Sequence, residues 1–361
     1  MKKYNVLDLF AGVGGLSYGF AHDGRFRILA ANEIEHDISV AYTLNHPDVC
    51  MLNCGIDKLT SEALEKATGG RPVDIVVGGP PCQSYSTLGK RQMDGRANLF
   101  REYVRVLRIL QPTAFIFENV SGLVSMDGGR LFPLIQEEFR VLGYDLKWQV
   151  LDAVDYGVPQ HRDRVILVGF KGKNEFEYPA PTHGPGLKPY VTLEDALGDL
   201  PPIRSAESAD RYLHAADNEF LRYVRARAGK TLTEHKAPKN GPRLIEIMET
   251  LEEGQDKFDL PESIRPKSGY ANTYAKLWWN QPSTTITRNF ATPSSSRCIH
   301  PRDSRAMSIR EGARLQSFPD DYRFYGGDGM RKLEIGNAVP PLLSIALAGQ
   351  MALAMRRHAA R

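Results

Sequence analysis

Apolar and polar positions alternate along the first 170 residues in a pattern that predicts strands separated by helices. Six apolar runs have strand character, and polar or helical segments separate them. The runs are Tyr4–Phe10, Arg27–Glu33, Asp74–Gly79, Ala114–Val120, Lys147–Ala153 and Arg164–Phe170. This alternation is typical of an α/β fold with a doubly wound, mostly parallel sheet, which places its site along the carboxyl ends of the strands.

Helical periodicity is clearest between Asn98 and Leu110. Its apolar residues share one face, and Arg101, Arg105 and Arg108 are expected to form a solvated face opposite. Leu131–Leu142 is predicted to be a second helix, and Pro340–Met355 a closing helix with prolines at its start. Between these regions Tyr178–Pro202 carries six prolines and reads as a linker, followed by a polar, weakly periodic segment at 203–270.

Composition places the chain among soluble globular proteins, with 42% hydrophobic and 25% charged residues in 361. The amino terminus lacks the apolar region of a signal peptide, and Val339–Met355 is short for a membrane span. We therefore expect a cytoplasmic protein with no membrane partner. Net charge is only +3, but Ala271–Arg310 holds six basic residues against Asp303, either as a solvated face or as a phosphate-contacting surface.

Cysteine usage indicates a reducing compartment and excludes an obvious metal centre. The four cysteines, Cys50, Cys54, Cys82 and Cys298, form no Cys-x-x-Cys pair, and no histidine pair completes a zinc site. Cys82 follows Gly-Gly-Pro-Pro at the end of a predicted strand. A cysteine in that place is better suited to nucleophilic chemistry than to packing as an inert hydrophobe.

Other candidate residues also stand at strand ends. The run from Asp8 to Gly15 resembles a ligand-binding turn, but Ser17 replaces the third glycine of the dinucleotide fingerprint. Glu33 could hold the hydroxyls of a ribose, or the turn could be purely structural. Glu118 ends an apolar strand, where desolvation raises the pKa of a carboxyl, so it could be protonated and donate a hydrogen bond, or it could be a helix-capping or ion-paired glutamate. Arg162 and Arg164, two apart in an extended segment, point to the same side and suit one anionic or carbonyl-rich target, or they belong to a surface ion-pair cluster with Asp163.

Together these blocks resemble the DNA (cytosine-5)-methyltransferases of the bacterial, modification-enzyme type. The matching motifs occur in the family's order and cover residues 1 to about 203 and about 274 to 352. They are Phe10-x-Gly-x-Gly, Pro-Pro-Cys82-Gln, Glu118-Asn-Val, Gln160-x-Arg-x-Arg164, Arg310-Glu-x-Ala-Arg-Leu-Gln316 and Gly336-Asn337. The segment between falls where that family keeps its target-recognition region.

The resemblance implies methyl transfer from S-adenosylmethionine to C5 of a flipped-out cytosine in a specific short double-stranded DNA sequence. By this resemblance Cys82 is the nucleophile that attacks C6 of the cytosine. Glu118 would hold N3, and Arg164 would contact O2. Arg162 would support Arg164, and no metal is required. The implied cofactor residues are Phe10, Ala11, Gly12, Gly15, Leu16, Glu33, Ile34, Ile56, Pro80, Leu99, Asn337 and Val339. The implied DNA contacts are Gln83, Ser86, Lys90, Arg91, Arg96, Thr285 and Arg288.

The same resemblance implies three parts of the chain: a catalytic and cofactor-binding domain at 1–177, a small domain at 178–325 and a segment at 326–361 that returns to the first domain. One position departs from the family pattern. The family usually has an aspartate there that contacts the adenine amine of the cofactor, and this sequence has Gly55. The nearby Asp57 is expected to point elsewhere, because the segment is predicted to be extended. A main-chain group or a water molecule would then contact the adenine amine instead. We expect a monomer, with a cognate restriction endonuclease that acts on the same site without stable binding.

Three other functions compete with this hypothesis. A tRNA cytosine-5 methyltransferase would share the architecture, but its branch typically carries Cys-Phe-Thr, which is absent from this sequence. A DNA-binding regulator that has lost catalysis would not need every catalytic block. A nicotinamide-dependent dehydrogenase would leave Pro-Pro-Cys-Gln unexplained.

Overall fold

The computed structural model describes residues 3–81, 99–269 and 272–360. These residues divide into two compact units. The first comprises the described residues within 1–152, 163–180 and 341–361, and the second comprises those within 153–162 and 181–340. The excursion at 153–162 lies between two strands of the first unit, and the carboxyl-terminal segment that belongs to that unit begins at Pro341.

The first unit is built on a seven-stranded sheet with strand order β3-β2-β1-β4-β5-β7-β6. Its strands are β1 Tyr4–Leu9, β2 Phe26–Asn32, β3 Cys50–Leu52, β4 Ile75–Gly78, β5 Ala114–Val120, β6 Tyr144–Asp152 and β7 Asp163–Lys171. The first five run parallel, whereas β7 is antiparallel to both β5 and β6. The amino end of β7 therefore meets the carboxyl end of β5, with Arg164 opposite Val120.

Helices cover this sheet because each connection between parallel strands must cross over it. They are α1 Gly15–His22, α2 His36–Asn45, α3 Ser61–Thr68, α4 Leu99–Leu110, α5 Gly122–Ser125, α6 Leu131–Val141 and α12 Pro341–Ala359. Much of the core is aromatic: rings of Phe100 and Tyr103 on α4 meet those of Phe115 and Phe117 on β5 and Phe139 on α6. This packing fixes the strand ends where the candidate residues lie.

Helices and loops dominate the second unit. Its helices are α7 Leu193–Leu197, α8 Glu219–Val224, α9 Pro242–Thr250, α10 Ile309–Leu315 and α11 Asp328–Asn337, and its strands are β8 Ala275–Lys276 and β9 Arg297–Ile299. A capping box between Ser308 and Glu311 starts α10. The guanidinium of Arg314, fully buried on α10, donates to the carboxylates of Asp199 and Asp320.

One helical stretch among the described residues, Asp328–Ala359, is long and apolar enough to cross a membrane. However, 67% of its most apolar window is buried inside the fold. That extent of burial is expected of a core helix in a soluble protein, whose apolar residues contact other protein elements.

Candidate functional site

The turn after β1 and the end of β2 form one side of the candidate site. The backbone N–H of Gly12 donates to Glu33 Oε2 at 3.0 Å, and the N–H of Glu35 donates to Glu33 Oε1 at 2.9 Å. Burial raises the pKa of Glu33, and these N–H donors oppose that rise. A Cβ built on Gly12 would meet no atom within 4 Å, so the turn leaves open space beside a fixed carboxylate.

The next residues along this edge contradict one expectation from the sequence. Ile34 is 65% exposed, and a Cβ built on Gly55 would lie 3.8 Å from its Cδ1. The same Cβ would lie closer than 3.0 Å to Asp57 Oδ1. The prediction that Asp57 points elsewhere is therefore wrong, because residues 56–58 form a 3₁₀ turn, not an extended segment, and the carboxylate folds back over Gly55.

Most of the other predicted cofactor residues of the first unit are buried: Ala11, Gly15, Leu16, Ile56 and Pro80. Phe10 and Leu99 are partly buried against the core cluster. Phe10 has φ +55°, a strained value for a non-glycine residue that occurs mainly where a turn is fixed by its surroundings. Asn337 and Val339 belong to the second unit, where Asn337 is exposed and Val339 is buried.

Glu118 and Arg164 form an ion pair at the junction of β5 and β7. Arg164 Nε lies 2.8 Å from Glu118 Oε1, and the two side chains are 10% and 15% exposed, respectively. The antiparallel register brings Arg164 opposite Val120, two residues past Glu118, so both side chains lie on one face of the sheet. Of the alternatives for Glu118, the structure therefore shows the ion-paired carboxylate.

The segment that leads to Cys82 is held against this pair. A Cβ on Gly79 would lie 3.0 Å from Glu118 Oε2, and Asn119 Nδ2 donates to the carbonyl of Pro80 at 2.8 Å. The structure thus brings β4, β5 and β7 together around Glu118. The predicted nucleophile Cys82 and the predicted DNA contacts Gln83, Ser86, Lys90, Arg91 and Arg96 lie outside the described residues.

Arg162 has a different environment within the second unit. Its buried guanidinium donates to the carbonyls of Ile286 at 2.8 Å, Gly336 at 2.7 Å and Ala338 at 3.0 Å. Arg162 precedes β7 and so is not part of the extended strand that carries Arg164. These contacts support a positioning role, in which Arg162 holds the predicted DNA-contact segment near 286 and the predicted cofactor segment near 338.

Gln160 contributes to the same buried network, which the sequence analysis did not assign. Its side-chain amide donates to Leu315 O at 2.6 Å and to Gln316 Oε1 at 3.0 Å, and its oxygen accepts from the N–H of Ile286 at 2.9 Å. Gln316 Nε2 in turn donates to Ile335 O at 2.6 Å. Buried glutamine pairs of this kind fix loop geometry, because each amide left without a partner would cost about 1–3 kcal/mol.

Asp8 is a second buried residue that sequence reasoning left without a role. It is 1% exposed, and its Oδ2 accepts from Ser17 Oγ at 2.5 Å, which also lies 2.7 Å from the hydroxyl of Tyr42. Burial, with the nearby charge of Glu33, raises the pKa of Asp8 to about 7. The available signal was the serine in place of the third fingerprint glycine, since it supplies the hydrogen bond to Asp8.

Most of the basic residues in 271–310 form neither a solvated face nor a phosphate-contacting surface, because they are buried. The buried members are Lys276, Arg297, Arg305 and Arg310. Arg305, for example, donates to both carboxylate oxygens of Glu311. Arg288 and Thr285, the two predicted DNA contacts of the second unit, are exposed.

A match to a family model decides which family the chain belongs to. The model of the C-5 cytosine-specific DNA methylases matches residues 4–352. The chain belongs to the C-5 cytosine-specific DNA methylases. It is a DNA cytosine-5 methyltransferase, and the resemblance inferred from the six ordered motifs is confirmed.

Curated relatives of this methylase are modification enzymes. It is 36% identical to the Type II methyltransferase M1.HphI of Haemophilus parahaemolyticus, over 95% of this chain and 85% of that protein. It is 32% identical to the Type II methyltransferase M.AgeI of Thalassovita gelatinovora, over 97% and 99%. These relatives associate the methylase with DNA methylation in restriction-modification systems.

Solved structures confirm its fold. A DNA modification methyltransferase encoded within an E. coli prophage superposes with a TM-score of 0.80 and 24% identity, covering 98% of this chain and all of that one. The DNMT2 of Spodoptera frugiperda gives a TM-score of 0.64 with 16% identity, covering 97% and 100%. The predicted α/β class with a mostly parallel sheet is therefore correct, and the fold is one that implies S-adenosylmethionine as methyl donor.

Proposed function

We propose that this methyltransferase methylates C5 of a flipped-out cytosine in a specific short double-stranded DNA sequence through a covalent bond between Cys82 and C6. The observation that carries the proposal is the Glu118–Arg164 pair, 2.8 Å apart, with the Gly79–Pro80 segment held against it. Cys82 follows that segment after one further residue, Pro81. A nucleophile, a carboxyl and a guanidinium thus belong to three neighbouring strand ends.

Each residue then has a defined part in the reaction. When the base binds, Glu118 takes up a proton from solvent and shares it with N3. The thiolate of Cys82 forms a bond to C6, and the ring electrons move toward C5. Arg164 donates to the cytosine O2 and keeps Glu118 oriented, which stabilises charge that develops on the ring. S-adenosylmethionine, when bound, supplies the electrophilic methyl group. Loss of the C5 proton to a base then expels Cys82 and restores the aromatic ring.

The turn after β1 fits that cofactor. The open space beside Gly12 allows a ligand to approach the backbone, and Glu33 presents a fixed carboxylate suited to the two ribose hydroxyls. The exposed side chain of Ile34 offers an apolar surface for a purine ring. Asp57, folded back over Gly55, then supplies the acceptor for the adenine amine that a glycine at position 55 lacks.

The remaining assignments follow from the chemistry. Attack at C6 requires the base to leave the stacked duplex, at a cost of a few kcal/mol that contacts to the flipped base must offset. Residues 178–325 would form the small domain, with target recognition in 203–270. We further propose a cytoplasmic monomer that shares its target sequence with a restriction endonuclease, without a stable complex.

The test is methyl transfer from labelled S-adenosylmethionine to unmethylated mixed-sequence DNA and, separately, to total tRNA. Label recovered as 5-methylcytosine in DNA and lost in Cys82→Ala supports the proposal. DNA in which the target cytosine carries fluorine at C5 should also trap the protein, because fluorine replaces the proton whose loss would expel Cys82 and cannot leave as a cation. Label in tRNA alone, or in neither substrate despite intact DNA binding, would refute it in favour of the RNA enzyme or the non-catalytic regulator.

A further inference from the structure

Two surface segments of the second unit, 204–211 and 230–239, run antiparallel beside each other. Ser208 is opposite Lys236, and Arg211 is opposite Thr231. Backbone N–H groups donate across the pair from Ala209 to His235 O at 3.1 Å, from Ala237 to Glu207 O at 2.9 Å and from Leu232 to Asp210 O at 2.8 Å. We call this pair the 204–239 ladder. Its cross-strand bonds give two otherwise irregular segments a fixed register.

The inner side of the 204–239 ladder is anchored in the unit. Leu232, His235 and Ala237 are each 2% exposed. The His235 ring lies 2.9 Å from Pro201 O and 3.1 Å from Ser308 Oγ. The buried guanidinium of Arg310 donates to the carbonyl of Thr233 at 3.0 Å. The ladder is therefore a preorganised surface rather than a loop that must order on binding, which lowers the entropic cost of association.

The outer side of the ladder carries cations without acidic partners. Among the described residues no carboxylate lies within ion-pair distance of these exposed side chains: Arg204, Arg211, Lys230, Lys236 and Lys239. Nearby basic residues behave differently, since Arg225 pairs with Asp199 and Arg227 with Asp321. The ladder is net positive, because its five lysines and arginines outnumber its three acids, Glu207, Asp210 and Glu234, and Glu234 is paired with Arg331.

The segment that follows has the opposite charge. Residues 246–262 carry seven acids and one base. The acids are Glu246, Glu249, Glu252, Glu253, Asp256, Asp259 and Glu262. The base, Lys257, is buried and donates to the carbonyls of Ser268 and Gly269. A phosphate backbone would be repelled by this acidic segment, so the charge within the predicted recognition region is divided between two parts of the chain.

We infer that the 204–239 ladder binds the phosphates of double-stranded DNA and that residues 246–262 stay off the duplex. The inference rests on the proposed function, whose substrate is a long polyanion. Exposed lysines and arginines that stand on a fixed backbone and have no acidic partner are suited to DNA. Each one that neutralises a phosphate releases cations that were condensed on the DNA, and this release favours binding. Such contacts fix register and orientation on the duplex, and base contacts from neighbouring side chains then read the sequence.

The test compares two double variants of the full-length enzyme. Lys236→Ala/Lys239→Ala removes two ladder cations. The control Lys66→Ala/Arg71→Ala removes two exposed cations of the first unit that pair with no acid in the part of the chain that the structure describes. Binding to a fluorescent mixed-sequence DNA duplex is measured over a series of salt concentrations. The dependence of log K on log salt should become shallower by about 1.8 in the ladder variant, at about 0.9 per lost phosphate contact, and stay unchanged in the control. Circular dichroism should show both variants folded, since all four side chains are exposed.

The outcomes separate this inference from the proposed function. If the wild type methylates DNA and the ladder variant keeps its full salt dependence, the ladder inference is wrong and the methylation proposal stands. If the wild type methylates only tRNA, the proposed function fails first. A charge reversal, Lys236→Glu/Lys239→Glu, should weaken DNA binding more than the alanine pair, because it adds repulsion to the lost phosphate contacts. Equal affinity of the two ladder variants would also overturn the inference.

Discussion

Asp8 makes the stability of this methyltransferase depend on pH in a direction opposite to most carboxylates. The side chain is 1% exposed, Ser17 Oγ donates to one of its oxygens, and the other oxygen has no partner among the described residues. Burial raises its pKa from 3.8 to about 7. In this case the folded state holds a proton that the unfolded chain has already released, so stability falls as pH rises between these two values and is level above about 7.

The size of the effect follows from the shift. Three pKa units correspond to about 4 kcal/mol of lost stability at full ionisation. Between about pH 5 and pH 8 the loss is about 3 kcal/mol, of which about 2 kcal/mol has occurred by pH 7, where half of the carboxyl is ionised. Asparagine keeps an oxygen that accepts from Ser17 but cannot ionise. Asp8→Asn should therefore gain about 3 kcal/mol relative to the wild type between about pH 5 and about pH 8.

Urea unfolding followed by circular dichroism at the two pH values measures this difference. Asp48→Asn is the matched control, because Asp48 is exposed and should change stability equally at both pH values. If the free-energy difference between Asp8→Asn and the wild type is the same at both pH values, the buried carboxyl is not the source of the pH dependence and the reasoning fails.

Three further predictions concern other parts of the molecule. Glu118→Gln should lower kcat at saturating DNA at least about 100-fold with DNA affinity retained, because it removes the proton donor to N3. Gly336→Ala should cost about 2–3 kcal/mol in a thermal melt, because its Cβ would lie closer than 3.0 Å to the backbone at 287–288. In the same melt Gly349→Ala should stabilise α12 by up to about 1 kcal/mol. Asp57→Asn should weaken S-adenosylhomocysteine binding about fivefold by calorimetry, through loss of a charge-assisted hydrogen bond.

Each of these predictions has an outcome that contradicts it. A Glu118→Gln enzyme with near wild-type kcat would remove the carboxyl from the chemistry. Equal melting temperatures for the two glycine variants would mean that the backbone near 287 yields to a methyl group at little cost. Unchanged S-adenosylhomocysteine affinity in Asp57→Asn, with Glu33→Gln weakened, would leave Glu33 in the pocket and exclude Asp57 from it.

The buried framework could be predicted from the sequence because burial leaves a strong pattern. All six predicted strands are present within a few residues of their expected bounds, and Ala114–Val120 agrees at both ends. The three-residue strand Cys50–Leu52 was missed, since it is short and its side chains are exposed or half-buried. The strand-end motifs likewise identified Glu118 and Arg164, which the antiparallel pairing of β7 brings together.

Local turns and long-range contacts could not be predicted in the same way. Arg105 was expected on a solvated face, yet its guanidinium donates to the carbonyls of Leu59 at 2.7 Å and Ile56 at 2.8 Å. Helical periodicity records which face of α4 is polar and does not record that a loop lies against it. The position of Asp57 depends on a single turn of 3₁₀ helix, which leaves no periodic pattern in the sequence. The three carbonyl partners of Arg162 lie on segments that are distant in sequence.

The packing of α12 on α1 has a consequence for how the protein is made. Ser344 Oγ accepts from the N–H of Gly19 at 2.9 Å and donates to the carbonyl of Leu16, so two helices more than 300 residues apart share buried hydrogen bonds. During synthesis α12 leaves the ribosome only after more than 300 further residues have followed α1. Until then the apolar side of α1 has nothing to cover it, a state in which nascent chains depend on chaperones and are prone to aggregation. Truncation of the last turns of α12 should therefore reduce the yield of soluble protein well before it affects any residue of the active site.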